Sequence, residues 1–295
     1  MCAVFEQWDI TSSVGLTALG VASARAVETD RADPLVSDPY AAAFVRAADS
    51  PRPLPARLED TSVAGDGWFR HSRYLGVRSR FFDEYFAAST AAGIHQVVLL
   101  AAGLDTRAYR LDWPDGCELY EVDQPKVLAF KRTVLDEQAA SARCRRHEVA
   151  TDLRDDWESA LLGAGFDPRR PTAWLAEGLL PYLPGRAEEG LFEVIHRLSA
   201  AGSRLAVERA SIDRLATLRD HPLFREAFEE FGADVSQLWN AEPRRDCADW
   251  LRSAGWTAAA ESAQQAGQRY GLPMDDPFDE VMGTATLLTA TREHG

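Results

Sequence analysis

The chain has 295 residues, 46% of them hydrophobic and 26% charged, a globular balance that excludes collagen, coiled coil and wholesale disorder. Its formal net charge of −14 opposes a phosphate backbone or an anionic membrane surface, so neither nucleic acid nor membrane is expected as a partner. Cys2, Cys117, Cys144 and Cys247 are scattered without ligand-like spacing, so neither a disulfide framework nor a metal site is expected.

The first third reads as helix. Residues 12–30 are rich in alanine, with apolar positions at helical spacing and Ser12 or Ser13 as N-cap. The pattern repeats over 37–49, breaks at the prolines of 51–55, and resumes as a long amphipathic helix over 66–92. In that helix Trp68, Phe81 and Phe82 are expected in the core.

After residue 94 the pattern alternates. Apolar, β-prone runs at 96–101, 118–122, 146–150, 173–177, 203–208 and 255–261 are interleaved with helical stretches at 125–141, 185–201 and 243–254. A last strand is expected over 281–291. Strands alternating with helices imply βαβ units and a mainly parallel sheet. The runs at 96–101 and 173–176 are almost wholly apolar, as burial on both faces requires. The chain thus divides into a helical cap, 1–93, and an α/β domain, 94–295, with an insertion near 212–242 that carries Phe224, Phe228, Phe231 and Trp239. No apolar segment is long enough to span a bilayer, and MCAVFEQWDI shows no basic leader. A cytoplasmic enzyme is the expectation.

The strongest chemical signal is VVLLAAGLDTRAYRL, residues 97–111. An apolar strand ends in a turn of small residues that lets a ligand approach the backbone. Ala101 stands where the first glycine of a G-x-G-x-x-G pattern falls, and Gly103 remains. Residues 119–125, LYEVDQP, end a second strand in Glu121 and Asp123, which share one side of it. A carboxylate there is placed to hold the two hydroxyls of a ribose. Two buried carboxylates together need hydroxyls or an arginine as partners. After the third strand, ATDLR places Asp152 and Leu153 where an adenine ring is flanked, although Asp152 also reads as a helix cap. The fourth strand ends in WLAEGLLPYLP, with Glu177 and Tyr182 at its mouth.

These four blocks, in this order, resemble the leucine carboxyl methyltransferase family, in particular its bacterial S-adenosylmethionine-dependent branch. VASARAVETDRADPLVSDPYA and VRSRFFDEY are similar to it as well, so the likeness covers nearly the whole chain. The resemblance implies a class I methyltransferase (Rossmann-like) fold, with a seven-stranded sheet, its last strand antiparallel, and an N-terminal helical cap. It implies S-adenosyl-L-methionine as cofactor. Ala102, Gly103 and Asp105 would line its methionine and ribose parts. Asp123 would hold the ribose hydroxyls with Glu121 nearby, Asp152 and Leu153 the adenine, and Glu177 the methionine amino group. The cap would supply an arginine for the methionine carboxylate: Arg78 first, Arg25 or Arg80 otherwise. Arg107 and Tyr182 are the candidates for orienting substrate, with Arg110 and Arg209 as further cations at strand ends.

Methyl transfer to an ionised carboxylate needs no base, in keeping with the lack of an obvious catalytic histidine; His147 and His196 read as strand-edge and helix-surface residues. Three readings stay open. The first is ester formation on a small, polyketide-like acid. The second is a methyltransferase with a phenol, hydroxyl, amine or carbon acceptor; a phenol or amine would need a base near the sulfonium, for which Glu177, Tyr182 or a histidine could serve. The third is a non-catalytic or nicotinamide-binding protein, which the broken glycine pattern disfavours.

Overall fold

The computed structural model describes residues 13–50, 53–64, 66–209, 238–240, 242–274 and 285–293. The expected insertion at 212–242 falls almost entirely outside them, as do Phe224, Phe228 and Phe231. Four helices come first: α1 (Ser13–Thr29), α2 (Ala41–Ala47), the single turn α3 (Thr61–Ala64) and α4 (Asp66–Ala91). Then follow β1 (Gln96–Leu100), α5 (Arg107–Arg110), β2 (Glu118–Asp123), α6 (Pro125–Glu137), β3 (Arg145–Ala150), α7 (Trp157–Gly163) and β4 (Ala173–Ala176). A 3-10 turn (Leu180–Tyr182), α8 (Gly185–Arg197) and β5 (Arg204–Arg209) come next. The chain closes with α9 (Cys247–Ser253), β6 (Trp256–Ser262), α10 (Ala263–Arg269) and β7 (Thr286–Arg292).

The strands form one seven-stranded sheet in the order β3-β2-β1-β4-β5-β7-β6. β1 to β5 are parallel, and β7 runs antiparallel between β5 and β6. The expected class I topology, with its antiparallel last strand, is therefore present. Every residue of β1 and β4 is buried, because helices cover both faces. Val97 and Leu99 lie in one core with Ala173, Leu175 and the α1 and α4 side chains Leu19, Leu75, Phe82 and Phe86. Val98 and Leu100 lie in the other with Trp174, Ala176 and the α7 and α8 side chains Trp157, Leu161, Phe192 and Ile195. The period-two alternation of a strand assigns each residue to its layer. The N-terminal helices thus share a core with one face of the sheet.

One helix start and one additional helix are the instructive differences from expectation. α2 starts at Ala41 rather than 37, because Pro39 disfavours helix at Asp38, whose side chain instead accepts from the N–H groups of Tyr40 and Ala41. A short helix, α10, stands between the last two strands where none was expected. Its capping box pairs Ser262 with Gln265, a signal present in the sequence as S-x-x-Q.

Strand order reverses between β1 and β4: the chain winds outward through β2 and β3, then returns to β4 and β5. A crevice opens at the carboxyl ends of the strands at such a switch point.

Candidate functional site

The turn after β1 forms the floor of this crevice. Ala101 and Gly103 both adopt left-handed backbone, with φ of 51° and 50°. Glycine enters that region freely, whereas alanine is strained there by its Cβ. The turn is pinned from three sides. Ala102 N–H donates to Val122 O at 3.1 Å. Arg25 of α1 donates to Leu104 O at 2.6 Å while paired with Asp38 at 2.9 Å. Gly103 N–H donates to Asp123 Oδ2 at 2.6 Å.

Asp123 ends β2, and its other oxygen accepts from Gln124 N–H at 2.6 Å. Burial pushes its carboxyl up to about 6, against the two backbone donors and the more distant Lys131. Burial has withdrawn water from this carboxylate, and no cation among the described residues is bonded to it in return, so it has acceptor positions and a need for donors. A ribose diol offers two. Glu121, one alternate position back, is fully buried and paired with Lys131 at 2.8 Å and Arg146 at 2.6 Å. It shares the side of Asp123 as expected, but cations within the protein receive its charge. Asp152, after β3, accepts from Arg154 Nη2 at 2.6 Å and Gln124 Nε2 at 3.0 Å. Leu153 beside it packs half-buried against the core that contains Val98 and Val149.

The ends of β1, β4 and β5 carry a different arrangement. Glu177 follows β4 and meets two arginines: Arg107 Nη1 at 2.7 Å and Arg78 Nε at 2.8 Å. Glu208 of β5 accepts from Arg78 Nη1 at 2.8 and 3.0 Å, from Gly178 N–H at 2.7 Å and from the Tyr74 hydroxyl. Arg107 is also bonded to Asp83 at 2.7 Å and to Asp105. Burial opposes ionisation of Asp105 and Glu177, but the neighbouring arginines win, holding Asp105 at about 2 and Glu177 below its ordinary value. Arg107 is therefore placed differently from what a substrate-orienting arginine requires. Its side chain is 2% exposed, and three carboxylates surround it. It holds those carboxylates in position beneath the crevice.

Among the candidates for the methionine carboxylate, Arg25 is committed to Asp38 and Leu104, and Arg80 pairs with Glu84 on the outside of α4. Arg78 lies in the crevice, and its Nη2 is bonded to no described residue. Arg110 pairs with Asp83 at the far side of Arg107, and Arg209 with Asp246. Tyr182 is half-buried in the 3-10 turn, hydrogen-bonded to Thr17 of α1 and to Trp239, and burial raises its hydroxyl above the ordinary range. Sequence reasoning did not find Glu208, Asp83, Tyr74, Lys131 or His71. Glu208 alone carried a signal, an acid at the end of an apolar strand.

The crevice residues fit S-adenosylmethionine part by part. A desolvated carboxylate at β2 suits the ribose, and a left-handed turn with no Cβ at Gly103 leaves room for close approach. Glu177 suits an ammonium, and the Nη2 of Arg78, bonded to no described residue, a carboxylate. Among the described residues no group of three or more His, Cys, Asp or Glu side chains is placed to hold a metal ion. No helix there is long and apolar enough to cross a membrane.

The sheet and crevice define a class I methyltransferase, and comparison with known proteins agrees. The profile of the leucine carboxyl methyltransferase family matches residues 18–196. A protein of Saccharopolyspora erythraea named "Putative S-adenosyl-L-methionine-dependent methyltransferase" is 48% identical, over 98% of this chain and 99% of its own. One of the same description from Rhodococcus jostii is 47% identical, over 97% and 98%. A DUF574 family protein of Streptomyces avermitilis has the same fold, with a TM-score of 0.54 at 15% identity over 85% of this chain and 96% of its own. A methyltransferase-like structure from Thermobifida fusca gives 0.53 at 16% identity, over 85% and 94%. The chain belongs to the leucine carboxyl methyltransferase family, and with it to the S-adenosyl-L-methionine-dependent methyltransferases.

Proposed function

We propose that this enzyme forms a methyl ester on the carboxylate of a small acid, a polyketide-like acid being the class its family likeness suggests. The cofactor would lie along the strand ends, with adenine at Asp152 and Leu153, ribose at Asp123, and methionine between Gly103, Asp105, Glu177 and Arg78. The acceptor would then enter from the side of β5 and Tyr182. Bound there, S-adenosyl-L-methionine supplies an activated methyl group, and its transfer to a carboxylate oxygen leaves no proton to remove.

One observation supports this reading: among the described residues, the crevice offers no base toward the acceptor. Glu177 and Asp105 are held as weakly basic carboxylates by their arginines. Tyr74 and Tyr182 are held as neutral hydroxyls, chiefly by burial. A phenol or amine acceptor needs a group able to take its proton. A carboxylate at neutral pH needs only to be placed in line. The test is tritiated methyl transfer to a panel of aliphatic and aromatic acids, with the matching phenols and alcohols alongside. Alkali-labile product, released as methanol, is expected from acids alone, with a rate flat between about pH 6.5 and 9, well above carboxylic pKa values. Alkali-stable ethers with a sloping pH profile would replace this reading by the phenol one.

A further inference from the structure

α4 runs against the direction of the strands. Near its C-terminus Ala88 O receives Arg204, at the start of β5; Tyr85 reaches Trp174 O at mid-sheet; Arg78 and Tyr74 reach Glu208, toward the end of β5. His71 lies on the same helix face, three residues before Tyr74 and seven before Arg78. At about 1.5 Å per residue its Cα stands roughly 4–5 Å beyond that of Tyr74, over the strand ends on the β5 side. Its ring meets Trp68 edge-on at 6.1 Å. Neither ring nitrogen hydrogen-bonds to any described residue, although the ring is half-buried. Such an uncommitted imidazole is unusual inside a protein. Burial first, and the Arg78 charge second, push it down to about 4, so it is neutral at pH 7. A neutral imidazole carries one N–H donor, and one this weakly basic is poorly suited to removing a proton.

We propose that His71 is an acceptor-binding residue, its N–H donating to an oxygen of the substrate carboxylate on the β5 side of the crevice. The inference rests on the ester-forming reading above for the chemical nature of that oxygen. Glu208 accepts from the same Arg78 whose charge His71 feels, and Tyr182 feels both charges, so the acceptor oxygen would lie between His71 and the cofactor's methionine end.

The experiment follows the histidine side chains by NMR in protein labelled at Cε1, saturated with S-adenosylhomocysteine. Benzoate is the probe and benzyl alcohol the neutral control. Benzoate is expected to shift the His71 signal saturably, with little effect from the alcohol. His71→Phe should weaken benzoate binding about 10- to 100-fold, the worth of one hydrogen bond to a charged group. His71→Gln, which keeps a donor, should recover most of it. Both variants should bind S-adenosylhomocysteine within about twofold of wild type, since the residue lies outside the cofactor's own contacts. If benzyl alcohol moves the signal and benzoate does not, the acceptor contact stands and the ester reading falls. A His71 signal that neither probe moves, or benzoate binding unchanged in His71→Phe, overturns the inference whatever the enzyme methylates.

Discussion

At the ends of β1, β4 and β5, Asp105, Glu177 and Glu208, with Asp83 of α4, each face at least one arginine, whereas at the end of β2 the described partners of Asp123 are two backbone N–H groups. The first region is already satisfied within the protein, and its charges hold one another in place. The second is left short of donors. Burial of both is similar, so the difference lies in partners. A rigid ionic base can orient the reacting end of a ligand, while an under-served carboxylate contributes binding energy when hydroxyls arrive.

The largest effect should come from breaking the satisfied region. Arg107→Met leaves Asp83, Asp105 and Glu177 short of a cation in a buried site, and about 3–5 kcal/mol of stability should be lost. Denaturant unfolding measures it. A loss below about 1 kcal/mol would mean the cluster is wetter than its burial implies.

Next comes the under-served carboxylate. Asp123→Ala should weaken S-adenosylhomocysteine binding about 100-fold, the equivalent of two hydrogen bonds, while stability in the ligand-free state holds or rises. Titration calorimetry decides it, and unchanged affinity removes Asp123 from the site. The pH dependence sharpens the point. Asp123 has a folded-state value near 6, above its ordinary 3.8, so the ligand-free fold takes up this proton more readily than the unfolded chain. Its contribution to stability is complete below about 4 and is lost as pH rises through about 6. Cofactor affinity should run the other way, rising across pH 5 to 7 as the carboxylate ionises. In Asp123→Asn that slope should vanish. Asp105 has the opposite sign: its stabilisation holds at neutral pH and is lost only as pH falls toward about 2.

The smallest effect concerns the turn joining the two regions. Ala101→Gly relieves a left-handed alanine at about 1–2 kcal/mol and returns roughly 0.5–1 kcal/mol as backbone entropy, so a net gain of about 0.5–1 kcal/mol is expected. Thermal unfolding would show it, and a loss would mean that the Ala101 methyl packs usefully in its partly buried position.

The comparison also separates what the sequence could reveal from what it could not. Strands and most helices were readable, because two-face burial at Val97–Leu100 and Ala173–Ala176 leaves continuous apolar runs. Gly103, Asp105, Asp152 and Glu177 could be picked out as candidates because each lies within five residues of a strand's end, and Asp123 because it ends one. Pairing was not readable. Arg78 meets Glu208 across 130 residues, and Arg107 meets Glu177 across 70, so no local spacing records either contact. The same limit made Arg107 look like a substrate ligand: a strand-end arginine shows its charge in sequence, but not the three acids that surround it. His71 gave no signal at all, because its interest lies in having no hydrogen-bond partner among the described residues.

The strand order has a consequence for how the chain is made. β7 is synthesised last of the seven strands, yet it sits inside the sheet, between β5 and β6. While the chain from Arg209 to Thr286 emerges from the ribosome, β5 presents an unpaired edge bearing Leu205, Ala206 and Val207. At about 5–20 residues per second that interval lasts roughly 4–15 s, and an apolar open edge is a template for pairing with a neighbouring nascent chain. Vectorial synthesis therefore leaves this half of the molecule waiting for its centre piece. Any slowing of translation over the final strand would lengthen the period in which a chaperone, rather than β7, has to cover β5.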